Sequence, residues 1–217
     1  MEYPADRQLD LLGHAPRRKV AFVLPALARG EEERVMLTFL RHLDRTRFEP
    51  SLILLSDAGP LADLIPEDVP MTDLARPRVR RARGALRRHL SALAPDVVFS
   101  TMGYLNLALL SLKPALPAGT RFVVREANPP QRNGRSALRR ALFRRLYRRY
   151  YPTADTVVAP ARFLVRPLED WGTPRDRIRI LYNPVDVDGL RARTRPAIWQ
   201  SGPGPRFVAA GRLTEQK

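Results

Sequence analysis

Short, continuously apolar runs alternate along the chain with longer polar segments in which apolar side chains recur three and four residues apart. The runs fall at 19–27 (KVAFVLPAL), 51–56 (SLILLS), 96–101 (DVVFST), 121–126 (RFVVRE), 155–160 (DTVVAP) and 177–183 (RIRILYN). Continuous rather than alternating hydrophobicity marks strands buried on both faces, as in a parallel sheet. Between them, EEERVMLTFLRHLD places Val35, Leu37, Leu40 and Leu43 near one helical face, with three glutamates in the first turn where the helix dipole favours negative charge. ALRRHLSALAP and RSALRRALFRRLYRRYYP repeat the pattern, each stopped by proline. Strand and helix alternating at this rhythm predict βαβ units with right-handed crossovers, hence an α/β fold with a Rossmann-like, doubly wound parallel sheet.

The pattern sets the expected domain organisation. Residues 1–17 precede the first strand and read as a flexible N-terminal segment, and residues 18–184 form the sheet domain. Residues 185–205 are rich in proline and glycine and read as a linker holding one short helix. RFVAAG (206–211) then starts a strand with no helix behind it, so residues 206–217 are expected to open a truncated second domain.

Composition narrows the chemistry. With 44% hydrophobic and 28% charged residues the chain is globular rather than disordered. It has no cysteine, which excludes disulfides and thiolate chemistry. The three histidines, at positions 14, 42 and 89, are too scattered to share a metal, so no metal site is expected. The formal net charge is +16, and of 38 basic residues only Lys19, Lys113 and Lys217 are lysines. Such a surface favours nucleic acid, anionic lipid headgroups or phosphorylated ligands. The acidic, discontinuous N-terminus is unlike a secretory signal, and no run approaches the roughly 18 apolar residues of a membrane span, so the expected location is the cytoplasm.

Three stretches, in order, carry a family resemblance. ARGEEERV after the first strand looks like a GGAERV turn, with Gly30 as its first glycine, Glu31 in place of its second, and Glu33 and Arg34 as its ER pair. ADTVVAPARFLVRPLEDWGTPRDRIRILYNPVD (154–186) resembles a segment AD-x-V-x-A-x-S, a helix, G-x-P-x-x-K-I and N-x-V-D, with Ala161 where the serine belongs. GRLTEQK (211–217) resembles GRL-x-x-x-KG. Together they resemble the retaining glycosyltransferases of family 4 with the GT-B architecture, in which two Rossmann-like domains close over a nucleotide-sugar.

The resemblance implies the N-terminal, acceptor-side domain of an enzyme that moves a hexosyl unit, with retention, from a nucleotide diphosphate sugar to a glycan or lipid-linked acceptor. The nucleotide-sugar is then a substrate, and no cofactor is implied. By motif match, Gly211, Arg212 and Lys217 contact the donor diphosphate, whose developing charge cations and backbone N–H groups stabilise. Gly30 lies on the sugar side. Arg125, Glu126 and Asn128, just past a strand end, are acceptor-side candidates, or else a surface loop with an Arg–Glu pair. Asn183 and Asp186 shape the hinge. Catalytic glutamates of such enzymes lie deep in the second domain, so this chain is expected to be inactive alone.

Two arginine-rich segments, 76–90 and 135–149, remain. In the second, Leu138, Leu142, Phe143, Leu146 and Tyr150 fall at helical spacing, flanked by Arg139, Arg140, Arg144, Arg145, Arg148 and Arg149. It is an amphipathic helix with a basic face. Three readings stay open: a solvated face whose apolar stripe packs on the sheet, a patch attracted to an anionic membrane, or a nucleic-acid surface, the last lacking interleaved aromatics. For the whole chain the alternatives are a non-catalytic truncated domain that binds lipid or a partner chain, and a basic nucleic-acid-binding α/β protein.

Overall fold

The computed structural model describes residues 16–28, 30–56, 58–130 and 136–193. The chain divides into two compact units, Met1–Val185 and Asp186–Lys217, and the sheet belongs to the first.

Seven strands form one parallel sheet: β1 (Arg18–Leu24), β2 (Phe48–Leu54), β3 (Met71–Asp73), β4 (Val97–Thr101), β5 (Arg121–Arg125), β6 (Thr156–Ala159) and β7 (Ile178–Ile180), in the order β3-β2-β1-β4-β5-β6-β7. All six strands expected within this unit are present, and β3 adds an edge. The helices of the unit are α1 (Glu31–His42), α2 (Val79–Leu93), α3 (Gly103–Leu110), α4 (Ala137–Tyr150) and α5 (Val165–Asp170). The sheet grows outward from β1 in one direction and from β4 in the other. Their C-terminal ends therefore flank the point where winding reverses, the crevice in which open α/β sheets bind ligands.

Two cores sandwich the sheet. On one face Ala82, Leu86 and Leu90 of α2, Leu105 and Leu109 of α3, Tyr147 of α4 and Leu168 of α5 pack with Ala21, Val23, Val98, Phe122 and Val157. On the other, Met36, Leu37 and Leu40 of α1 pack with Phe22, Leu24, Leu52 and Leu54. Alternate residues of β1 thus serve opposite cores, which is why this strand reads as an unbroken apolar run. Helix α3, buried along nearly its whole length, is apolar on all sides apart from Asn106 and so shows no period in the sequence.

Helix α4 is phased differently from the expected stripe. Tyr147 is its one fully buried residue, with Phe143, Leu146 and Tyr150 half-buried beside it, whereas Leu138 is 81% exposed and Leu142 54% exposed. Five residues separate Leu142 from Tyr147 and nine separate Leu138 from it, about 140° and 180° around an α-helix. The two leucines therefore face away from the sheet.

In the second unit, α6 (Val187–Arg193) begins at Asp186, whose Oδ1 accepts the Gly189 N–H at 2.9 Å while its carbonyl accepts that of Leu190. A side-chain oxygen at this position satisfies an amide of the helix's first turn that has no carbonyl partner. The expected strand 206–211, and all but the last two residues of the expected N-terminal segment, lie outside the described residues.

Candidate functional site

The C-terminal edge of the sheet collects polar side chains from four segments. Strand β4 ends on Ser100 and Thr101, both fully buried, and β5 ends on Arg125 followed by Glu126, 1% and 2% exposed. The guanidinium of Arg125 donates through Nη1 to Thr101 Oγ1 (3.2 Å) and through Nη2 to Asn183 Oδ1 (2.7 Å). Its Nε–H, also buried, has no hydrogen-bond partner. Thr101 in turn donates to Glu32 Oε2 (3.0 Å), and the other oxygen of that carboxylate accepts from Asn128 Nδ2 (3.0 Å). One hydrogen-bonded chain thus runs Asn128–Glu32–Thr101–Arg125–Asn183, from exposed Asn128 and half-buried Glu32 into the protein.

Glu126 lies on the other side of Arg125 in a fully enclosed position. Its Oε2 accepts from Tyr147 Oη at 2.8 Å and from Tyr151 Oη, the two phenols being stacked with ring centroids 4.1 Å apart. Burial pushes the Glu126 carboxyl up to about 7, against the opposing pull of the two phenol donors. Burial likewise raises Tyr151 well above its ordinary value, so its phenol remains a donor at neutral pH. Arg125 is lowered by burial and supported by the charges of Glu32, Glu31 and Glu126. Asn106 of α3 braces the cluster, donating to the Arg125 carbonyl (2.9 Å) and the Tyr151 oxygen (3.3 Å) while accepting from Ser100 Oγ (2.8 Å).

Between β4 and α3 the chain passes through Met102 at φ 71°, a left-handed conformation rare for a side chain of this kind. Its carbonyl accepts from the amides of Leu105 and Asn106, both at 2.9 Å, so the turn is fixed by the first turn of α3.

At the opposite lip, α1 starts on Gly30. Glu33 is buried and folds back so far that a Cβ at Gly30 would overlap its Oε2, and burial raises its carboxyl above the usual range. A side chain at Gly30 would have to displace the Glu33 carboxylate, which fills the space above it.

Of the acceptor-side candidates, Arg125, Glu126 and Asn128 come together at this edge. Arg125 and Glu126 are not the surface loop pair that was the alternative, because both are buried. Asn183 joins them through Arg125, whereas Asp186 caps α6 in the other unit. The six arginines of α4 are exposed. Gly211, Arg212 and Lys217 lie outside the described residues. Sequence reasoning missed Glu32, Thr101, Asn106, Tyr147 and Tyr151. The recoverable signal was a tyrosine pair four apart at the C-terminal end of a helix otherwise studded with arginine. Among the described residues no three His, Asp or Glu side chains converge as metal ligands would.

Known structures share this architecture. The Anabaena protein HepE in complex with UDP-glucose superimposes with a TM-score of 0.57 at 14% identity, over 79% of this chain and 45% of that one. The apo form of the lipopolysaccharide outer core galactosyltransferase WaaB gives 0.57 at 15%, over 78% and 46%. A glycosyltransferase from Rickettsia africae gives 0.57 at 15%, over 83% and 47%. The chain therefore spans less than half the length of these proteins, and at such identity the likeness establishes the GT-B-type Rossmann-like fold. No curated protein matches the chain. The family model described as Glycosyltransferase Family 4 matches residues 33–188, most of the chain and all of the sheet beyond β1, and the chain belongs to that family.

Proposed function

We propose that the sheet domain is the acceptor-side half of a glycosyltransferase whose complete form moves a hexosyl unit, with retention, from a nucleotide diphosphate sugar to a glycan or lipid-linked acceptor. The observation that carries this reading is the hydrogen-bonded chain from Asn128 to Asn183, in a family 4 domain and at the crevice where open α/β sheets bind. Structures of the same fold hold UDP-glucose or are described as a galactosyltransferase, which supports a nucleotide-sugar partner.

The residues divide by exposure. Asn128 and Glu32 meet solvent and offer an amide and a carboxylate to sugar hydroxyls, which pair well with such donors and acceptors. Thr101 and Arg125 hold the Glu32 carboxylate in place from below, so its orientation is set before ligand arrives. Glu126 and the tyrosines anchor the β5 end that carries Asn128. The donor diphosphate would be met by Gly211, Arg212 and Lys217, and Asn183 and Asp186 would flank the hinge.

Heteronuclear NMR with a panel of mono- and oligosaccharides and water-soluble lipid-linked analogues tests the reading. An acceptor should shift the Asn128 side-chain amide, and Glu32→Ala should remove the response while the core methyl signals stay in place. No response to any sugar, or an unchanged response in Glu32→Ala, would overturn it.

A further inference from the structure

We propose that the outward face of α4 docks this protein on an anionic lipid bilayer, with Leu138 and Leu142 entering the acyl boundary and the neighbouring arginines engaging lipid phosphates. The proposal is independent of the transfer reading. Leu138 and Leu142 are the most exposed large apolar residues of the helix, at 81% and 54%, one turn apart and pointing away from the sheet. They continue along the helix as Arg145 and Arg149, at offsets of seven and eleven from Leu138, so one stripe carries two leucines and then two guanidinium groups. Arg144 and Arg148 border it on one side.

Charge complementarity selects the partner. Helix α4 contains no carboxylate, and among the described residues none of its arginines is ion-paired. Helix α2 is equally free of acidic residues and packs in the same core cluster as α4, so both arginine-rich helices cover the same face of the sheet. A polyanion would satisfy the arginines alone. The exposed leucines gain nothing from a phosphate backbone but gain hydrophobic burial at a lipid interface, where an amphipathic helix lies with its apolar residues at the acyl boundary and its cations among headgroups. Among the described residues no helix is long and apolar enough to cross a membrane, so the docking is peripheral.

The test is co-sedimentation of the full chain with phosphatidylcholine vesicles, with and without about one third phosphatidylglycerol, at roughly 0.1 M and 0.5 M salt. Expected is binding to the anionic vesicles alone, weakened by salt. Leu138→Ser with Leu142→Ser should weaken it about tenfold, and Arg145→Gln or Arg148→Gln about fivefold each. These positions are exposed, and far-UV circular dichroism should be unchanged. Equal binding to both vesicle types, or to neither, overturns the proposal. So does wild-type affinity in the double serine variant together with release of vesicles by duplex RNA, which would mark a nucleic-acid surface. Concentration-dependent self-association abolished by the serine substitutions would instead mark a contact with a second copy of the chain.

Discussion

Replacing Glu126 with glutamine should make the protein more stable at pH 8 and leave it nearly unchanged at pH 4. The folded domain holds this carboxyl at about 7 because the site is enclosed, whereas in the unfolded chain it returns to its ordinary 4.5. Between those values the native state binds the extra proton, so stability falls as pH rises, and above 7 the whole loss is present. At 1.36 kcal/mol per pH unit, the loss between pH 4.5 and 7 is on the order of 3 kcal/mol. Glutamine keeps an oxygen to accept from Tyr147 and Tyr151 and cannot ionise, so it removes that loss. Urea denaturation of both proteins at half-unit pH steps gives the difference curve, in which every other titrating group cancels. The curve should be flat below about pH 4, rise in favour of Glu126→Gln by roughly 3 kcal/mol between about pH 4.5 and 7, and level off again by pH 8. A curve flat across the range, with the wild type more stable throughout, would mean that the phenols and Arg125 keep the carboxylate ionised and would refute the reasoning.

Asn183→Ala should cost about 2 kcal/mol, because it strips the acceptor from Arg125 Nη2 and adds a second unpaired N–H to a buried guanidinium. Asn183→Asp should recover most of that loss in thermal melts, and failure of aspartate to rescue would show that shape rather than hydrogen bonding matters there. Gly59→Ala should lower stability by about 2 kcal/mol or more, since the residue sits at φ +60° and a Cβ would lie 2.6 Å from the Leu27 carbonyl oxygen, which is backbone and cannot swing away. A melting temperature within a degree of wild type would show that the turn relaxes freely.

What the sequence disclosed follows from the range of the forces involved. Strands β1, β2 and β4 to β7 are legible because burial on both faces demands uninterrupted apolar runs. Strand β3, three residues long with two of them exposed, has no such demand on it. Helix α3 hid for the opposite reason, since full burial erases the polar face that would have given it a period. At the site, Arg125, Glu126 and Asn128 were found by their position past a strand end, a local feature. The partners that define their chemistry are 21 and 25 residues away for Glu126 and 96 away for Asn128, where no short-range pattern reaches. The glutamates of α1 show how a sufficient local explanation conceals a tertiary one. The helix dipole accounts for three acids in a first turn, yet Glu32 binds Thr101 and Asn128 across the crevice and Glu33 packs over Gly30.

Three locally unfavourable features meet at this edge of the sheet: Met102 with a positive φ, Arg125 with an orphaned Nε–H, and Glu126 enclosed where ionisation is disfavoured. Each costs roughly 1–3 kcal/mol, and marginal stability gives no reason to keep them at a position that only packs. Apolar residues of similar volume would often hold the end of β5 as well or better, as replacements of buried ion pairs elsewhere do. A polar cluster at the opposite edge of the sheet is satisfied. There Lys113 reaches Asp155 and the Thr153 carbonyl at 2.6 and 2.7 Å, a satisfied and partly exposed pair that asks nothing of its surroundings. Exceptions occur at the opposite rim as well, Ala94 at φ 45° and Thr173 with an unpaired buried Oγ1, but the three at the ends of β4 and β5 are tied together by the hydrogen bonds of Asn106, which supports the proposed site there. The exposed ends of the network, Glu32 and Asn128, are where a ligand would meet it.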